Sequence, residues 1–504
     1  MKTASRFSRW LLLLGAAIVL LFCMGANTVA AAAWIGPMLL LRYTRGITRF
    51  WHWLLVWGVL FGAWLFQFRG MVPMPMPGPL LVAGGSSLFG LVPYVLDAWT
   101  RRRLSDVSFT STLVFPAAFA AVDFSTALSP YGSWGVWAYS QYGVLPLVQL
   151  CAVTGLYGVT FIVVWFASVA NWAWENRNAP TSVRRGLFVY GAVLGVILLG
   201  GTIRLQATRP AQFHRAERVA GLTADLADTP EQQGLMRRFW GHQPLSPADL
   251  AALSANLNVQ LDRLLERSEV QAKAGAKLVF WSEGAGMVLA DDEPSLLQKG
   301  MDLAKRANAY LGLSVLRLNP ETRTMQNKTV LVAPEGRIAY EYWKSRPVPG
   351  FEARWSERNG NPMRWKDTSL GRVGSFICFD LDFPTLIRQA GRARLDLLLV
   401  PSNDWRAIDP WHTHMAAFRA VENGCSLIRV TGSGRSLAVD ALGRAIAESD
   451  DFSGADHTIV AQIPTHGSST LYSKIGDTFA WLCVAGTVLL LGRAAARKKR
   501  VTTE

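Results

Sequence analysis

Glu283, Lys344 and Cys378 are three residues of this chain whose types combine into one reaction. Sulfur attacks a carbonyl as the thiolate, so a cysteine nucleophile needs a group to take its proton. Cys378 suits the nucleophile. Glu283 suits the general base that later returns the proton to the leaving group. Lys344 suits stabilisation of the tetrahedral oxyanion, and its charge favours the thiolate. Together they can make and break a thioester. Glu352, eight residues after Lys344, is placed to hold Lys344 or the incoming group. The separations of 61 and 34 residues between the three have no spacing logic of their own. The competing reading is therefore a small buried cysteine at a strand end.

The elements around them bring these residues to one edge. Ser246-Pro247-Ala248-Asp249 is a helix start, with a cap, a proline in the first turn and an acid beside it. Leu253, Leu257, Leu261 and Leu264 then recur at helical spacing. Lys277–Trp281, Leu311–Leu316, Val373–Ile377 and Leu395–Val400 read as strands, and Val330–Ala333 with Ile338–Tyr342 as a hairpin around Pro334-Glu335-Gly336. Helices are expected over Leu296–Ala309, Thr385–Ala393 and His414–Asn423. Strands are expected near 426–430, 436–440 and 457–463. Such alternation predicts a layered α/β domain. Glu283, Cys378, Asn403 and Asp404 each follow a predicted strand, and the carboxyl ends of strands form the ligand crevice of open α/β sheets. Lys344 joins from the turn after Tyr342.

The rest of the chain is of another kind. Half of the 504 residues are hydrophobic, 17% are charged and 20 are Trp. This fits a membrane protein with an attached globular domain. Eight apolar runs stand near 10–27, 28–41, 50–68, 79–98, 107–127, 143–171, 186–205 and 477–492, most near the length a bilayer core requires. The first resembles a cleavable signal peptide, with Lys2, Arg6 and Arg9 ahead of it and Ala30-Ala31-Ala32 behind. A second run follows at once, which favours an uncleaved helix. The net charge of +15 concentrates in alternate links. These carry Arg42, Arg45 and Arg49, then Arg101, Arg102 and Arg103, then Arg177, Arg184 and Arg185. The C-terminal tail adds Arg493, Arg497, Lys498, Lys499 and Arg500. Positive charge marks the cytoplasmic side, so both termini are expected there and the polar stretch outside. That distribution reads as topology and not as nucleic-acid binding. The expected domains are 1–205, a membrane domain of about seven helices; 206–473, an extracytoplasmic catalytic domain; and 474–504, a last helix with a basic tail.

Several local contexts then match a known family. Leu278-Val-Phe-Trp-Ser-Glu283, Tyr342-Trp-Lys344 with Val348-Pro349 and Glu352, and Gly374-Ser-Phe-Ile-Cys378-Phe-Asp380 are three of them. Ser402-Asn403-Asp404-Trp405 is another, as is His412 through Met415 with Arg419, Ala420 and Glu422, and Gln149–Phe161 matches in the membrane part. The chain resembles the nitrilase (carbon–nitrogen hydrolase) superfamily, and within it the apolipoprotein N-acyltransferases. That resemblance implies an αββα sandwich facing the periplasm, joined to about eight membrane helices in a bacterial inner membrane. It implies Glu283, Lys344 and Cys378 as the catalytic triad, with Glu352 and Asp380 supporting. It further implies substrate contacts from Phe379, Asn403, Asp404 and Trp405, and no metal or organic cofactor. The implied reaction moves an acyl chain from a phospholipid through a Cys378 thioester to the α-amino group of a diacylglyceryl-cysteine lipoprotein. The departures are Phe379-Asp380 where the family has Tyr-Glu, Gly284-Ala285 for Thr-Ala, Trp405 one residue early, Gly432-Ser433-Gly434 for Asn-Asn-Gly, and Gly135-Val136-Trp137 near where the family has Phe-Pro-Trp before the sixth run. They touch the pocket more than the triad. A membrane-tethered amidase or nitrilase with water as acceptor, and a degenerate lipoprotein-binding paralogue, therefore remain as alternatives.

Other residues invite functional readings. His412 and His414 would share a face in a strand but open a helix here, and no third zinc ligand has motif spacing. Trp355, Met363, Trp365, Trp405 and Trp411 read either as core or as a lid at the bilayer interface. Asp123, inside an apolar run, is costly unless paired, and stands either beside a lipid path or in a structural role. Asn327-Lys328-Thr329 matches a glycosylation pattern that reads as chance. Five cysteines without a paired pattern exclude a disulfide framework.

Overall fold

The computed structural model describes residues 6–104, 108–207, 216–224, 229–358, 360, 362–453 and 457–500. Lys2 and the segment 208–215 lie outside the described residues, as do the side chains of Arg6, Arg497, Lys498, Lys499 and Arg500. The chain divides into two compact units, Met1–Ala207 with Leu471–Glu504, and Thr208–Thr470.

In the first unit each of the eight apolar runs carries a helix. Among the described residues five are long and apolar enough to cross a membrane: Gly78–Arg103, Phe109–Ala127, Leu156–Glu175, Pro180–Ala207 and Thr478–Ala496. The first three runs form shorter helices, Arg6–Leu20, Ala32–Thr44 and Trp51–Gln67. The helix in the first run stops well before Asn27. Gly25 lies just beyond it at φ +78°, so close to Gln67 that a Cβ would stand 2.2 Å from the Gln67 carbonyl oxygen. The sixth run is not one helix. It makes two short turns, Leu145–Val148 and Cys151–Thr154, then breaks at Gly155. That glycine has φ +66° and lies under the Tyr472 ring, where a Cβ would come within 2.6 Å of the ring edge. Hydrophobicity alone cannot register such a break, because both sides of it are apolar.

Three basic links meet at one end of this unit. Glu175 pairs with Arg42, Arg45 and Arg101. Arg45 also forks onto buried Asp97 at 3.0 and 3.1 Å. Asp123, the costly acid of the fifth run, is a backbone anchor: its Oδ2 accepts from Trp137 N at 2.9 Å and Thr160 Oγ1 at 2.8 Å.

The second unit holds thirteen strands among its described residues. They are β1 (Ala216–Leu222), β2 (Leu278–Trp281), β3 (Gly286–Leu289), β4 (Tyr310–Asn319), β5 (Thr324–Ala333), β6 (Arg337–Trp343), β7 (Trp365–Thr368), β8 (Gly371–Ser375), β9 (Leu397–Asn403), β10 (Ser426–Gly432), β11 (Arg435–Val439), β12 (Ala445–Asp450) and β13 (Thr458–Pro464). One sheet runs β13-β1-β2-β4-β5-β6 with β3 beside β4, and the other runs β12-β11-β10-β9-β8-β7. Val219, Phe280 and Leu331 of the first sheet share one buried cluster with Val373, Leu399 and Ile428 of the second. The sheets therefore pack face to face. On the outer face of the first sheet, Trp281, Val315 and Val330 cluster with Leu261 and Leu264 of the helix Pro247–Lys273 and Leu303 of Glu293–Ala307. Ser246 and Asp249 start the first of these helices as a reciprocal capping box. The helices Pro384–Arg392 and Trp411–Asn423 cover the second sheet. The result is an αββα sandwich.

Several strands differ from their sequence reading. β4 and β5 run ten residues each, longer than their most apolar parts. β9 continues through Asn403, because Thr431 and Gly432 of β10 pair in register with Ser402 and Asn403. β8 stops at Ser375, so Cys378 stands in a short turn and not directly on a strand end. β1, β3, β7 and β12 are additional strands. β7 and β12 lie at the sheet edge and are mostly exposed, which removes the alternation that would reveal them.

Candidate active site

The site lies where the carboxyl ends of β2, β8 and β9 meet between the two sheets. Glu283 leaves the first sheet just after β2, and its backbone N–H donates to Ser402 O of β9 at 3.2 Å. Cys378 opens the 3₁₀ turn Cys378–Asp382. It sits at φ +47°, in the left-handed region that costs a residue with a Cβ about 1–2 kcal/mol. Such strain is held in place only where the surroundings over-determine it. The Sγ rests 3.8 Å from Asn403 O.

Lys344 is buried between two carboxylates. Its Nζ donates to Glu283 Oε1 at 2.7 Å and to Glu352 Oε2 at 2.6 Å. An ammonium has three donors, so one N–H is left for a developing oxyanion. Burial alone would lower the Lys344 pKa, but Glu283 and Glu352 outweigh it and hold the group charged, well above its ordinary value. Glu352 also accepts from Val348 N at 3.1 Å. That bond ties the loop after Lys344 to the same carboxylate.

Cys378 is not a resident thiolate. Burial raises its pKa first and Glu283 raises it further, while Lys344 lowers it; Asp404 raises and Arg429 lowers it by less. The outcome lies well above the ordinary thiol value. The help expected from Lys344 is present but loses to desolvation. Attack on a carbonyl therefore has to be coupled to proton removal.

Asp380 ties the lysine loop to the nucleophile turn. Its Oδ2 accepts from Tyr342 OH at 2.8 Å and Ile377 N at 3.1 Å. Its Oδ1 accepts from Ser345 N at 3.1 Å and Arg346 N at 2.8 Å. Burial wins over these donors and pushes its pKa up to about 6.

Two family profiles match this one chain. Residues 3–169 match the apolipoprotein N-acyltransferase N-terminal domain and residues 246–470 match carbon-nitrogen hydrolase. Along both stretches the chain is similar to apolipoprotein N-acyltransferases. It is 27% identical over 440 residues to the apolipoprotein N-acyltransferase of Geobacter metallireducens, covering 82% of this chain and 79% of that one. It is 25% identical over 386 residues to that of Rickettsia typhi, covering 71% of each. Among solved structures, an amidase from Nesterenkonia sp. is similar at a TM-score of 0.39 and 18% identity, over 50% of this chain and 92% of the amidase.

The structure brings Glu283, Lys344, Glu352 and Cys378 together, with Asp380 one layer behind. The residues expected to contact substrate separate. The Asn403 side chain is exposed at the end of β9, and Trp405 is half-buried beyond it. Phe379 is buried edge-on against Phe383 at 5.3 Å. Asp404 is turned inward, where Arg429 takes both its oxygens at 3.0 and 2.8 Å and His412 Nδ1 lies 2.9 Å from Oδ1. Both Asp404 oxygens are thus held by the protein's own groups, within 4.8 Å of the Cys378 sulfur. Of the residues read as core or lid, Trp411 and Met363 are buried, whereas Trp365 is exposed and stacks under Arg372.

One residue escaped the sequence reading. Asn327 on β5 is buried, and its Nδ2 donates to Glu283 Oε1 at 2.7 Å and to Glu352 Oε1 at 2.9 Å. It lies on β5 ahead of the apolar Val330–Ala333 segment, paired with Leu316 of β4, and the polar residues around it in sequence give no signal of burial.

His412 and His414 diverge, as residues two apart on a helix must. His412 faces Asp404 and Asp382, whereas burial with nearby Arg435 pushes the His414 pKa down to about 4. Cys378, Asp404 and His412 each bring one ligand-type atom within 4.8 Å of the others. Arg429 already neutralises Asp404. Burial would lower the His412 pKa, but Asp382 and Asp404 raise it to about 9. Arg429 takes both Asp404 oxygens and also lies 2.8 Å from His412 Nδ1, so two of the three residues are already engaged by a guanidinium.

Proposed function

We propose that the protein transfers a fatty acyl chain from a phospholipid, through a thioester on Cys378, to the amino terminus of a diacylglyceryl-cysteine lipoprotein. It is an N-acyltransferase, and its apolar helices and its likeness to such enzymes support a bacterial inner-membrane location. The observation that carries the chemistry is the Glu283–Lys344–Glu352 hydrogen-bond chain, with a spare Lys344 donor beside a strained, buried thiol.

In the first half-reaction Cys378 Sγ attacks the ester carbonyl as Glu283 takes the thiol proton. Glu283 Oε1 already accepts two bonds, and Oε2 accepts one from Asn403 N at 3.0 Å. The proton therefore goes to Oε2. The free N–H of Lys344 meets the oxyanion. Collapse breaks the ester C–O bond, and Glu283 returns the proton to the departing lysophospholipid oxygen. In the second half the lipoprotein amine attacks the thioester, Glu283 takes its proton, and Cys378 leaves and is reprotonated. Glu352 keeps Lys344 aimed throughout. Asn403, Trp405 and Phe379 line the approach to the thioester. The convergence of Arg42, Arg45 and Arg101 on Glu175 supports placing those links together on the cytoplasmic side, with both termini there and the catalytic domain in the periplasm.

The decisive experiment supplies purified protein with acyl-labelled phospholipid and a diacylated lipopeptide. Label is expected on Cys378 first and then on the peptide amine. Label released to water, or ammonia from a small amide without transfer, would make the protein a hydrolase. Full transfer by Cys378→Ala would remove the thioester route.

A further inference from the structure

The residue that joins base and nucleophile is neither of them. Glu283 holds both ends of the Ser402–Asn403 peptide: its N–H donates to Ser402 O at 3.2 Å and its Oε2 accepts from Asn403 N at 3.0 Å. The next peptide, Asn403–Asp404, presents its oxygen to Cys378 Sγ at 3.8 Å and donates its N–H to Gly432 O at 2.9 Å. A rotation of that second peptide plane moves the resting place of the thiol relative to the base. Asp404 fixes the plane at its other end, with a carboxylate oxygen within 4.8 Å of the sulfur. Its carboxylate is gripped by Arg429 from β10 and by His412 from the helix Trp411–Asn423. Arg429 is itself fixed by Thr413 at 2.5 Å and Thr431 at 2.7 Å. His412 Nε2 lies 3.3 Å from Asp382 Oδ1, which returns the network to the nucleophile turn.

We propose that Asp404, clamped by Arg429 and His412, is a positioning residue that sets the Asn403–Asp404 peptide and so aligns Cys378 with Glu283. The assignment rests on the acyl-transfer reading of the site, and it replaces substrate contact as the role of Asp404. Charged groups face the sulfur from every side. Glu283 follows β2, Lys344 follows β6, Asp404 follows β9 and Arg429 lies on β10, with His412 and Asp382 behind Asp404 and Asp380 in the same turn as Cys378. Asp404 has two separable effects in this setting. Its geometry aids transfer, and its charge opposes thiolate formation.

The test compares wild type, Asp404→Asn, Arg429→Lys and, as a control at a buried acid remote from the site, Asp440→Asn. All are full-length and reconstituted in phospholipid nanodiscs. Two quantities are measured: the rate of acyl-Cys378 formation against phospholipid concentration, by intact mass, and the pH midpoint of Cys378 alkylation by iodoacetamide, by peptide mass. In Asp404→Asn we expect kcat for thioester formation to fall on the order of 10²-fold, the loss that follows a misplacement near 1 Å, with KM little changed. We expect the alkylation midpoint to move to lower pH, because Arg429 and His412 then face the sulfur without their anion. Arg429→Lys keeps the charge but loses the fork, so it should lose kcat without the same shift. It also stands in if Asp404→Asn does not fold. Unchanged kcat in the folded variants, or an equal loss in Asp440→Asn, overturns the proposal. A wild type that forms no thioester would instead sink the acyl-transfer reading. Alkylation then decides alone, and an unmoved midpoint in Asp404→Asn overturns the role of Asp404.

Discussion

Asn327 stands 2.7 Å from Glu283, and through the same Nδ2 it also bonds Glu352 at 2.9 Å. One neutral amide thus separates the base from the carboxylate that steers Lys344. A carboxylate only accepts hydrogen bonds, so two of them can share a site only through donors. Lys344 and Asn327 are those donors. Asn327→Asp would place a third anion between them, and one of the three must then hold a proton. Thioester formation should fall by about 10² to 10⁴-fold, the range of a lost general base. Mass analysis of acyl-Cys378 reads the loss, and near-wild-type acylation in this variant would show that Asn327 does not matter to the base.

The pH response should carry the signature of Asp380. Its carboxyl holds a proton more tightly in the folded state, near 6, than at its ordinary value near 4. The stability this group contributes is therefore fully present below about 4 and is lost as pH rises through about 6. Activity runs the other way, because the ionised form is the better acceptor for Ser345 N and Arg346 N. Acylation rates should rise with a midpoint near pH 6, and Asp380→Asn should lack that limb. An identical acidic limb in the variant would assign the midpoint to another group.

Backbone strain at Cys378 makes an inverted stability order. At φ +47° a glycine is comfortable and an alanine is not. Both variants lose the nucleophile and should be inactive. Yet Cys378→Gly should be more stable than Cys378→Ala by about 1 kcal/mol, the reverse of their order in a helix. Denaturation of the two variants side by side checks this.

In the membrane-spanning unit, both donors to Asp123 use the same oxygen, Oδ2. Asp123→Asn keeps one such oxygen and should be tolerated. Asp123→Ala leaves Trp137 N and Thr160 Oγ1 without it and should cost about 1–3 kcal/mol. Thermal unfolding in detergent distinguishes the two. A fall in acyl transfer without loss of stability in Asp123→Asn would revive a place for this acid on a lipid path.

The layered domain was legible because its buried strands are apolar runs separated by helical periodicity, as at Leu278–Trp281 and Leu397–Val400. The edge strands β7 and β12 were not, since exposed residues on both faces erase the alternation. Glu283, Lys344, Glu352 and Cys378 were legible as residue types in local contexts. Asn327 was not, because an asparagine in a strand has no pattern of its own until its neighbours across the sheet are known. Asp404 was legible in its local context, but its pairing with Arg429 and His412 was not.

The sequence by itself determined what is local and cumulative. Apolar run length decided which segments can be membrane helices, the alternation of basic links decided their expected orientation, and residue types limited the chemistry to a thiol, a carboxylate and an ammonium. Only the tertiary structure decided which atoms face one another. It put the base on one sheet and the nucleophile on the other, joined them through Asn403, and turned Asp404 inward to Arg429 and His412. Those relations depend on strand register and sheet packing between segments separated by 8 residues (Asp404 and His412) to 120 (Glu283 and Asn403). Direction over such distances is set by the whole core and not by any stretch of chain.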